Sequence, residues 1–287
     1  MITICILNYN DFQTTEKLVR EIKDYKNIDH VVVVDNNSSD DSYSRLSLLI
    51  SEKVTVIQTE RNGGYGYGNN YGIRYAIRQY NSQQICICNP DISISEEALQ
   101  KCSDFISNNN NCIMVAPLMV DSKGVPQANC AWPIQPGLNY LLYSLKICGR
   151  LFDNLYKDLL EELTPYKADC IAGSCLLIDV KKFEEIGFYD ENIFLYCEET
   201  LIGLKARLHE YDSFILRDVS FKHLHSVSIN KSISSIVKQK KIMWDSRLYV
   251  LKKYYHWGKI KMLFAEIISK ISIMEEELAH FRRSRGQ

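Results

Sequence analysis

The first hundred residues alternate between short apolar runs and longer segments of mixed polarity, which predicts strands alternating with helices. The run of valines that ends at Val34 is short and β-branched, so it predicts a strand buried on both faces. Strands are expected at residues 2–7, 30–34, 54–58 and 84–88, with helices at 14–25, 42–50 and 70–80. This order predicts an α/β fold with a mostly parallel sheet, in which ligands gather at the carboxyl ends of the strands.

After residue 100 the alternation is less regular. An apolar run predicts a strand at residues 113–120, followed by a polar turn. Residues 126–136 are expected to be irregular, residues 138–163 helical or mobile, and a further helix is expected after Glu198. From residue 231 onward the sequence is basic, aromatic and helical in its pattern.

The charge of the chain is balanced overall but uneven along its length. It carries 34 Lys and Arg against 35 Asp and Glu, which argues against a nucleic-acid-binding protein. From residue 231 to the end, however, 13 Lys and Arg face 5 Asp and Glu. Such a basic, aromatic, amphipathic stretch suits peripheral association with an anionic membrane surface. A helical cap or a homodimer surface is the alternative, and the acidic residues 275–277 weaken the membrane interpretation.

The location of the protein is expected to be cytoplasmic. No basic segment precedes the first apolar run, and no stretch approaches the ~18 consecutive apolar residues of a membrane span. Several of the 10 cysteines lie inside apolar runs, which is typical of buried, reduced thiols. The chain has no C-x-x-C pair, which argues against a zinc ribbon or a thioredoxin-type site.

Two acidic residues directly follow predicted strands. Asp35 comes after the valine strand, and Asp91 ends the segment Asn89-Pro90-Asp91 after the fourth strand. At the carboxyl ends of their strands both can face one crevice. There Asp35 can accept hydrogen bonds from a nucleotide base or ribose, and Asp91 can hold a divalent cation. An ordinary helix cap or turn is the alternative for each.

A glycine-rich segment lies between these two acids, at residues 61–72. Its glycines permit positive φ and close approach to a ligand, and the segment leads into a helix N-terminus that favours a diphosphate. It matches neither the dinucleotide pattern G-x-G-x-x-G nor the phosphate-loop pattern G-x-x-x-x-G-K-[ST]. A flexible loop without a ligand is the alternative.

Further candidates lie in the second half of the chain. Glu198 and Glu199 open a predicted helix, so one can act as a general base, although acids at a helix N-terminus also stabilise the helix dipole. His223 and His225 alternate along a predicted strand end, so one of them points inward. That imidazole can complete a metal site, and a structural histidine is the alternative.

In order and spacing, these segments resemble the family 2 glycosyltransferases with the GT-A fold, in particular the rhamnosyltransferase-like branch. Eight segments across roughly residues 1–230 carry the resemblance. They are Asn8-Tyr9-Asn10, Val33 to Ser38, Asn62 to Asn70, Asn89-Pro90-Asp91, Ala172-Gly173-Ser174, Ile186 to Asp190, Phe194 to Glu199, and His223 to Ser228. The resemblance implies a mixed, mostly parallel sheet flanked by helices over residues 1–230. Residues 1–100 would bind the nucleotide, residues 101–230 the acceptor, and residues 231–287 would form a basic helical extension.

The resemblance also assigns roles to individual residues. The metal ligands would be Asp91 and His223, the metal Mg²⁺ or Mn²⁺, and the catalytic base Glu199. The family often has Glu-Asp-x-Asp-Leu, whereas this chain has Glu198-Glu199-Thr200-Leu201. This departure leaves open whether Glu199 or Glu198 is the base. The nucleotide contacts would come from Asn8, Asp35, Asn62, Gly63, Gly68 and Asn69.

The reaction implied is an inverting transfer of a sugar from a nucleoside diphosphate, dTDP or UDP, to a glycan or a lipid-linked acceptor. Rhamnose on dTDP is the favoured donor. Residues 127–136 and 138–163 are expected to bind the acceptor, with Trp132 either stacked on a sugar or packed as a hydrophobe. A nucleotidyltransferase that makes nucleotide sugars, and an inactive domain that binds a nucleotide or a glycan, are the alternative functions.

Overall fold

The computed structural model describes residues 2–143, 145, 165–224 and 235–285. The strands are β1 (Ile2–Asn8), β2 (Ile28–Asp35), β3 (Val54–Gln58), β4 (Gln84–Cys88), β5 (Ile92–Ile94), β6 (Cys112–Val120), β7 (Ala131–Trp132), β8 (Tyr166–Ala168), β9 (Cys170–Ile171), β10 (Cys175–Asp179) and β11 (Asp212–His223). The helices are α1 (Phe12–Ile22), α2 (Ser42–Ser47), α3 (Tyr65–Tyr80), α4 (Glu96–Asn108), α5 (Gly137–Leu142), α6 (Val180–Glu185), α7 (Glu198–Leu208), α8 (Ile236–Lys253) and α9 (Lys259–Arg285).

A sheet of nine strands forms the centre of the described fold. Its order is β3-β2-β1-β4-β10-β6-β11-β5, and β8 pairs with β11. The first four of these strands are mutually parallel, β10 is antiparallel to both β4 and β6, and β11 is parallel to β6. The predicted mixed α/β sheet is therefore confirmed, with its all-parallel part at the start of the chain. The valines of β2 are fully buried, as the apolar run predicts.

The start of α3 corrects the prediction for the glycine-rich segment. The expected loop is wrong from Tyr65 onward, because the helix begins there and not at residue 70. The reason is tertiary: a Cβ on Gly68 would lie 2.4 Å from Leu7 Cδ1, and one on Gly72 would lie 2.4 Å from Cys5 Sγ. These glycines therefore let the helix approach β1 closely, and the loop that remains ends at Gly64, whose φ is +93°.

The helical C-terminal region packs against the sheet domain through a second, smaller core. Trp244, Val250 and Leu251 of α8 are buried against residues from α5, α7 and the segment between α6 and α7. The prediction of a helical extension is confirmed, while the boundary expected at residue 230 falls in 225–234, outside the described residues. Most of the helix expected at 138–163 also falls outside them, and α5 accounts for its first turn.

Asp190 anchors α8 to the sheet domain. Its Oδ2 atom accepts hydrogen bonds from Tyr249 (2.9 Å), Lys253 (3.0 Å) and Tyr254 (2.7 Å). Burial alone would raise the pKa of Asp190, but hydrogen bonds, foremost those from Tyr254 and Asn192, outweigh burial and hold it well below its usual range. The carboxylate is thus a charged latch between the two parts of the chain.

The described cysteines agree with the expectation of reduced thiols. All nine are free, and all except Cys197 are buried. Cys86, Cys88 and Cys175 pack together in the sheet, where the Sγ of Cys86 lies 3.6 Å from that of Cys88 and 4.0 Å from that of Cys175. Among the described helices, none has both the length and the apolar composition that crossing a bilayer requires.

Candidate active site

A cavity of about 710 Å³ opens at the carboxyl ends of the parallel strands, where the strand order predicts a ligand site. Its wall draws on the turn after β1, the loop before α3, the turn after β4, the start of α7 and the end of β11. Of the residues singled out from the sequence, this wall contains Asn62, Trp132, Glu198, Glu199 and His223.

The two adjacent glutamates form the first turn of α7. Glu199 is half-buried, and its Oε1 accepts a hydrogen bond from the backbone N–H of Gly173 at 3.3 Å. The carbonyl of the same glycine accepts a 2.7 Å hydrogen bond from the hydroxyl of Tyr65, which fixes this peptide against α3. Glu198 is 4% exposed, and its Oε1 has no hydrogen-bond partner among the described residues.

Both glutamates have raised pKa values. Burial, and then the charge of Glu199, raise the pKa of Glu198 to about 8. Burial also raises the pKa of Glu199. The backbone directly before these glutamates is strained, because Tyr196 and Cys197 both have φ of +71°. This conformation costs residues with a side chain about 1–3 kcal/mol each. Strain and shifted pKa values at one place are characteristic of active sites.

His223, at the end of β11, is part of the cavity wall and contacts Asp91, but Asp91 itself is 4% exposed and, contrary to expectation, is not part of that wall. The Nε2 atom of His223 lies 3.4 Å from Oδ1 of Asp91, and this carboxylate oxygen is buried and accepts no hydrogen bond from the described residues. A carboxylate oxygen and an imidazole nitrogen are ligands that suit Mn²⁺, and Mg²⁺ also binds carboxylates. The residues therefore fit a divalent cation. His225 lies outside the described residues.

Asn8 and Asp35 lie next to each other at the ends of β1 and β2, but both are fully buried. The carboxylate of Asp35 accepts hydrogen bonds from Asn8 Nδ2 (2.8 Å), Gln58 Nε2 (3.0 Å) and both the backbone and the hydroxyl of Ser38 (3.0 and 2.6 Å). In this arrangement Asp35 ties three strand ends together and does not face the cavity. Its contact with a nucleotide stays a prediction, and it requires one of these donors to be released.

The loop before α3 holds the remaining residues expected to bind the nucleotide. Asn62 faces the cavity and accepts hydrogen bonds from Asn36 Nδ2 and from the backbone N–H of Gly64, both at 3.1 Å. Gly63 is half-buried between them and is not part of the wall. Gly68 and Asn69 lie in α3, and both are buried away from the cavity, so the structure does not bring them to the expected position. Asn36, which orients this loop through hydrogen bonds to Asn62 and to the carbonyl of Gly64, is not among the residues predicted to bind the nucleotide.

Trp132 lies in β7, which pairs with β9, and it contributes to the cavity wall, while its stacking on a sugar stays a prediction. The wall continues through Pro133, Ile134 and Gln135, part of the segment proposed for the acceptor. Two cationic residues of α8, Lys238 and Arg247, also line the cavity, and neither is among the site residues predicted from the sequence.

Comparisons with known proteins agree with this geometry. A family model described as glycosyl transferase family 2 matches residues 3–187. A low-salt glycan biosynthesis hexosyltransferase, Agl10 of Haloferax volcanii, is 28% identical over 211 residues, which cover 72% of this chain and 61% of that protein. A dTDP-rhamnosyl transferase, RfbF of Shigella flexneri, is 26% identical over 219 residues, covering 76% and 67%. This chain thus spans less than two thirds of the length of the Haloferax protein.

Solved structures share the fold. A mannosyltransferase from Pyrobaculum calidifontis, in complex with GDP-Man and Mn²⁺, superposes with a TM-score of 0.59 at 14% identity, covering 100% of this chain and 75% of that one. GalNAc-T7, with UDP, GalNAc and Mn²⁺, gives a TM-score of 0.60 at 16% identity, covering 99% and 57%. The expected GT-A fold is confirmed. Since the family match spans more than half of its residues, this chain belongs to glycosyl transferase family 2.

Proposed function

We propose that this protein is an inverting, metal-dependent glycosyltransferase that moves a sugar from a nucleoside diphosphate to an acceptor hydroxyl. The observation that carries the proposal is one cavity whose wall contains both the pair of glutamates with raised pKa values and His223, which contacts the buried carboxylate of Asp91. A base and a site for the leaving diphosphate are the two groups that an inverting displacement needs. Family membership supports the same reaction class.

Glu199 is the base in this proposal. It is more exposed to the cavity than Glu198, and the Gly173 N–H orients its carboxylate. Glu198, with its pKa of about 8, holds a proton at neutral pH, which leaves Glu199 as the ionised member of the pair. Glu199 then takes the proton from the acceptor hydroxyl as that oxygen attacks the anomeric carbon.

Asp91 and His223 would hold the divalent cation, Mg²⁺ or Mn²⁺. A cation bound there supplies electrostatic stabilisation to the departing diphosphate. The N-terminus of α3, at Gly64 and Tyr65, lines the same cavity, so the helix dipole favours an anion there, although the N–H groups of these two residues are hydrogen-bonded to Asn62 and to the carbonyl of Phe194. The Mn²⁺ in the two structural neighbours supports a metal-dependent reaction.

The favoured donor is dTDP-rhamnose, with UDP sugars as alternatives, because the similar Shigella flexneri protein is a dTDP-rhamnosyl transferase. The acceptor proposed is a glycan or a lipid-linked oligosaccharide used in cell-surface polysaccharide synthesis. Trp132 would stack on its sugar. A cytoplasmic location, with peripheral contact to the inner face of the membrane, is proposed from the basic surplus after residue 231.

The test is donor turnover with a base variant. The purified protein is incubated with dTDP-rhamnose and UDP sugars, with Mn²⁺ or with chelator, and release of the nucleoside diphosphate is measured. Glu199→Gln should lower turnover at least 100-fold while the affinity for the nucleoside diphosphate stays within 2-fold. Glu52→Gln, an exposed carboxylate without a described ion pair, is the matched control and should behave as the wild type.

Three results would contradict the proposal. Equal turnover in Glu199→Gln and wild type removes the base from the mechanism. Turnover of dTTP with a sugar 1-phosphate, but not of nucleotide sugars, identifies a nucleotidyltransferase instead. Metal-dependent nucleotide binding without turnover of any donor identifies a binding domain.

A further inference from the structure

Arg247 is a buried cation in the cavity wall without an anionic partner among the described residues. It is 8% exposed, and its Nη1 donates a 2.9 Å hydrogen bond to the carbonyl of Tyr140. Its guanidinium lies over the rings of Tyr140 and Trp244, 4.6 and 5.7 Å from their centroids. Within the described part of the chain, its Nε has no hydrogen-bond partner and no carboxylate lies at ion-pair distance.

Burying a charge without a counter-ion is unfavourable, so a guanidinium with no anionic partner in the described part of the chain favours an anion in the cavity. The two rings hold the guanidinium plane in place, and a fixed guanidinium fork matches the geometry of a phosphate. Lys238 comes from the same helix, lines the same cavity and is exposed. Lys238 lies nine residues before Arg247, about 13.5 Å away along the helix axis, so it meets an entering anion at a different point of the cavity.

The position of Arg247 assigns the anion to the acceptor side. Arg247 donates a hydrogen bond to the carbonyl of Tyr140, and its neighbour Ser246 donates one of 2.7 Å to the carbonyl of Leu195, in the segment that leads into the two glutamates. The metal ligands Asp91 and His223 come instead from the turn after β4 and the end of β11. A group bound at Arg247 therefore lies beside the base, where the acceptor hydroxyl must be.

We propose that Arg247 forms an anion subsite that binds a phosphate group of the acceptor, and that the exposed Lys238 attracts this anion into the cavity. The acceptor class is then a phosphorylated or diphosphate-linked glycan, in preference to a neutral sugar. This inference rests on the proposed transferase function, because it places the acceptor at Glu199.

The test is calorimetric titration with inorganic phosphate and with geranyl diphosphate, both in chelator, without and then with saturating dTDP. We expect phosphate to bind in both conditions. Arg247→Met should weaken phosphate binding at least 10-fold, and Arg247→Lys and Lys238→Ala should each weaken it several-fold. Lys252 is an exposed lysine of α8 outside the wall, so Lys252→Ala should leave phosphate binding unchanged. Tighter binding of geranyl diphosphate than of phosphate, with the same variant sensitivity, identifies a lipid-linked acceptor, whereas equal binding identifies a soluble phosphorylated one.

Two results would overturn the subsite. In one, dTDP competes with phosphate, which assigns Arg247 to the donor. In the other, Arg247→Met and Lys238→Ala both bind phosphate as the wild type does. Because Lys238 is exposed, its variant keeps the test valid even where Arg247→Met fails to fold. Failure of every nucleotide to bind would contradict the transferase proposal alone and leave the phosphate result intact.

A second, independent inference concerns α9, which exposes a regular apolar row. The spacing alternates between three and four residues, and the side chains are between 45% and 86% exposed. Its members are Ile260, Phe264, Ile267, Ile271, Met274 and Leu278. The opposite side of the helix is buried against α8, as Ala265 and Ser272 show.

This spacing is that of the a and d positions of a coiled coil. With Phe264 at a, Lys270 falls at g and Glu275 at e, so in a parallel pair Lys270 would face Glu275 of the partner subunit. The acidic residues 275–277 beside the row disfavour an anionic membrane surface. We infer that α9 pairs with α9 of a second copy as a parallel coiled coil.

Light scattering after gel filtration tests the pairing. The wild type should be a dimer, Ile271→Asp a monomer, and Leu48→Asp, at an exposed leucine elsewhere, a dimer. Lys270→Glu should raise the dissociation constant of the dimer several-fold. Adding Glu275→Lys to that variant should return the constant to the wild-type value. A monomeric wild type, or binding to phosphatidylserine vesicles that Ile271→Asp abolishes, would overturn the inference.

Discussion

Glu198 should make the protein less stable at neutral and alkaline pH than at mildly acidic pH. The carboxyl is 4% exposed, lacks a hydrogen-bond partner for Oε1 within the described residues, and adjoins Glu199. These conditions favour its neutral form and raise its pKa from 4.5 to about 8. Glu198→Gln keeps the shape of the neutral acid and removes the ionisation, so it isolates this effect.

The sign follows from proton binding. Between pH 4.5 and about 8 the folded protein retains a proton on Glu198 that the unfolded chain releases, so the free energy of unfolding falls as the pH rises through this window. At 1.36 kcal/mol per pKa unit, the full destabilisation above pH 8 is on the order of 5 kcal/mol. Glu198→Gln should therefore be about as stable as the wild type near pH 4.5 and increasingly more stable towards pH 8.

The assay is urea denaturation of both proteins at half-unit steps between pH 5 and pH 8.5. Glu52→Gln, at an exposed position, controls for the loss of one negative charge and should show a small difference that does not change with pH. A difference between Glu198→Gln and wild type that is independent of pH would refute the reasoning. It would mean that Glu198 is ionised in the fold at every pH tested.

Three further outcomes are expected. Asp91→Asn should remove the part of the nucleotide-induced thermal stabilisation that depends on Mn²⁺, and equal Mn²⁺ responses in the two proteins would contradict the metal site. Asp190→Asn removes the charge that Tyr254 and its neighbours bind, so unfolding should become easier by about 3 kcal/mol and hydrogen exchange in α8 faster. Because the pKa of Asp190 is lowered in the fold, this stabilisation is present above the unfolded value and lost as the pH falls, and a variant that keeps the acid dependence of the wild type would argue against the latch. Gly64→Ala should cost about 2 kcal/mol or more in urea denaturation, since φ is +93° and a Cβ would lie 2.0 Å from the carbonyl oxygen of Phe194; unchanged stability would contradict this conformation of the loop before α3.

Much of the fold follows from local pattern. Strands buried on both faces need continuous apolar runs, so β2 and β4 could be predicted from a few residues each. The polar residues that end them, Asp35 and Asp91, could be placed at one edge because parallel strands share it. The joint position of Glu199 and His223 depended on the family resemblance, because no local pattern links residues from α7 and β11.

The errors have a tertiary origin. In a sequence, a glycine indicates freedom of the backbone. Only the fold shows that positions 68 and 72 require glycine, because β1 leaves no room there for a Cβ atom. Arg247 was missed because it lies in a basic stretch, where one more cation is interpreted as surface charge. The available signal was Trp244, three residues earlier on the same helix face, since a large apolar neighbour indicates a buried cation.

The latch at Asp190 has a consequence for the order in which the protein is made. A chain folds from its N-terminus during synthesis, so the sheet and both glutamates emerge before α8. Until α8 emerges, Asp190 lacks Tyr249, Lys253 and Tyr254, and the cavity lacks the wall that carries Arg247. A nascent chain at this stage exposes the apolar residues that α8 later covers, among them Tyr140, Ile193 and Leu201, so we expect it to aggregate more readily than the finished chain.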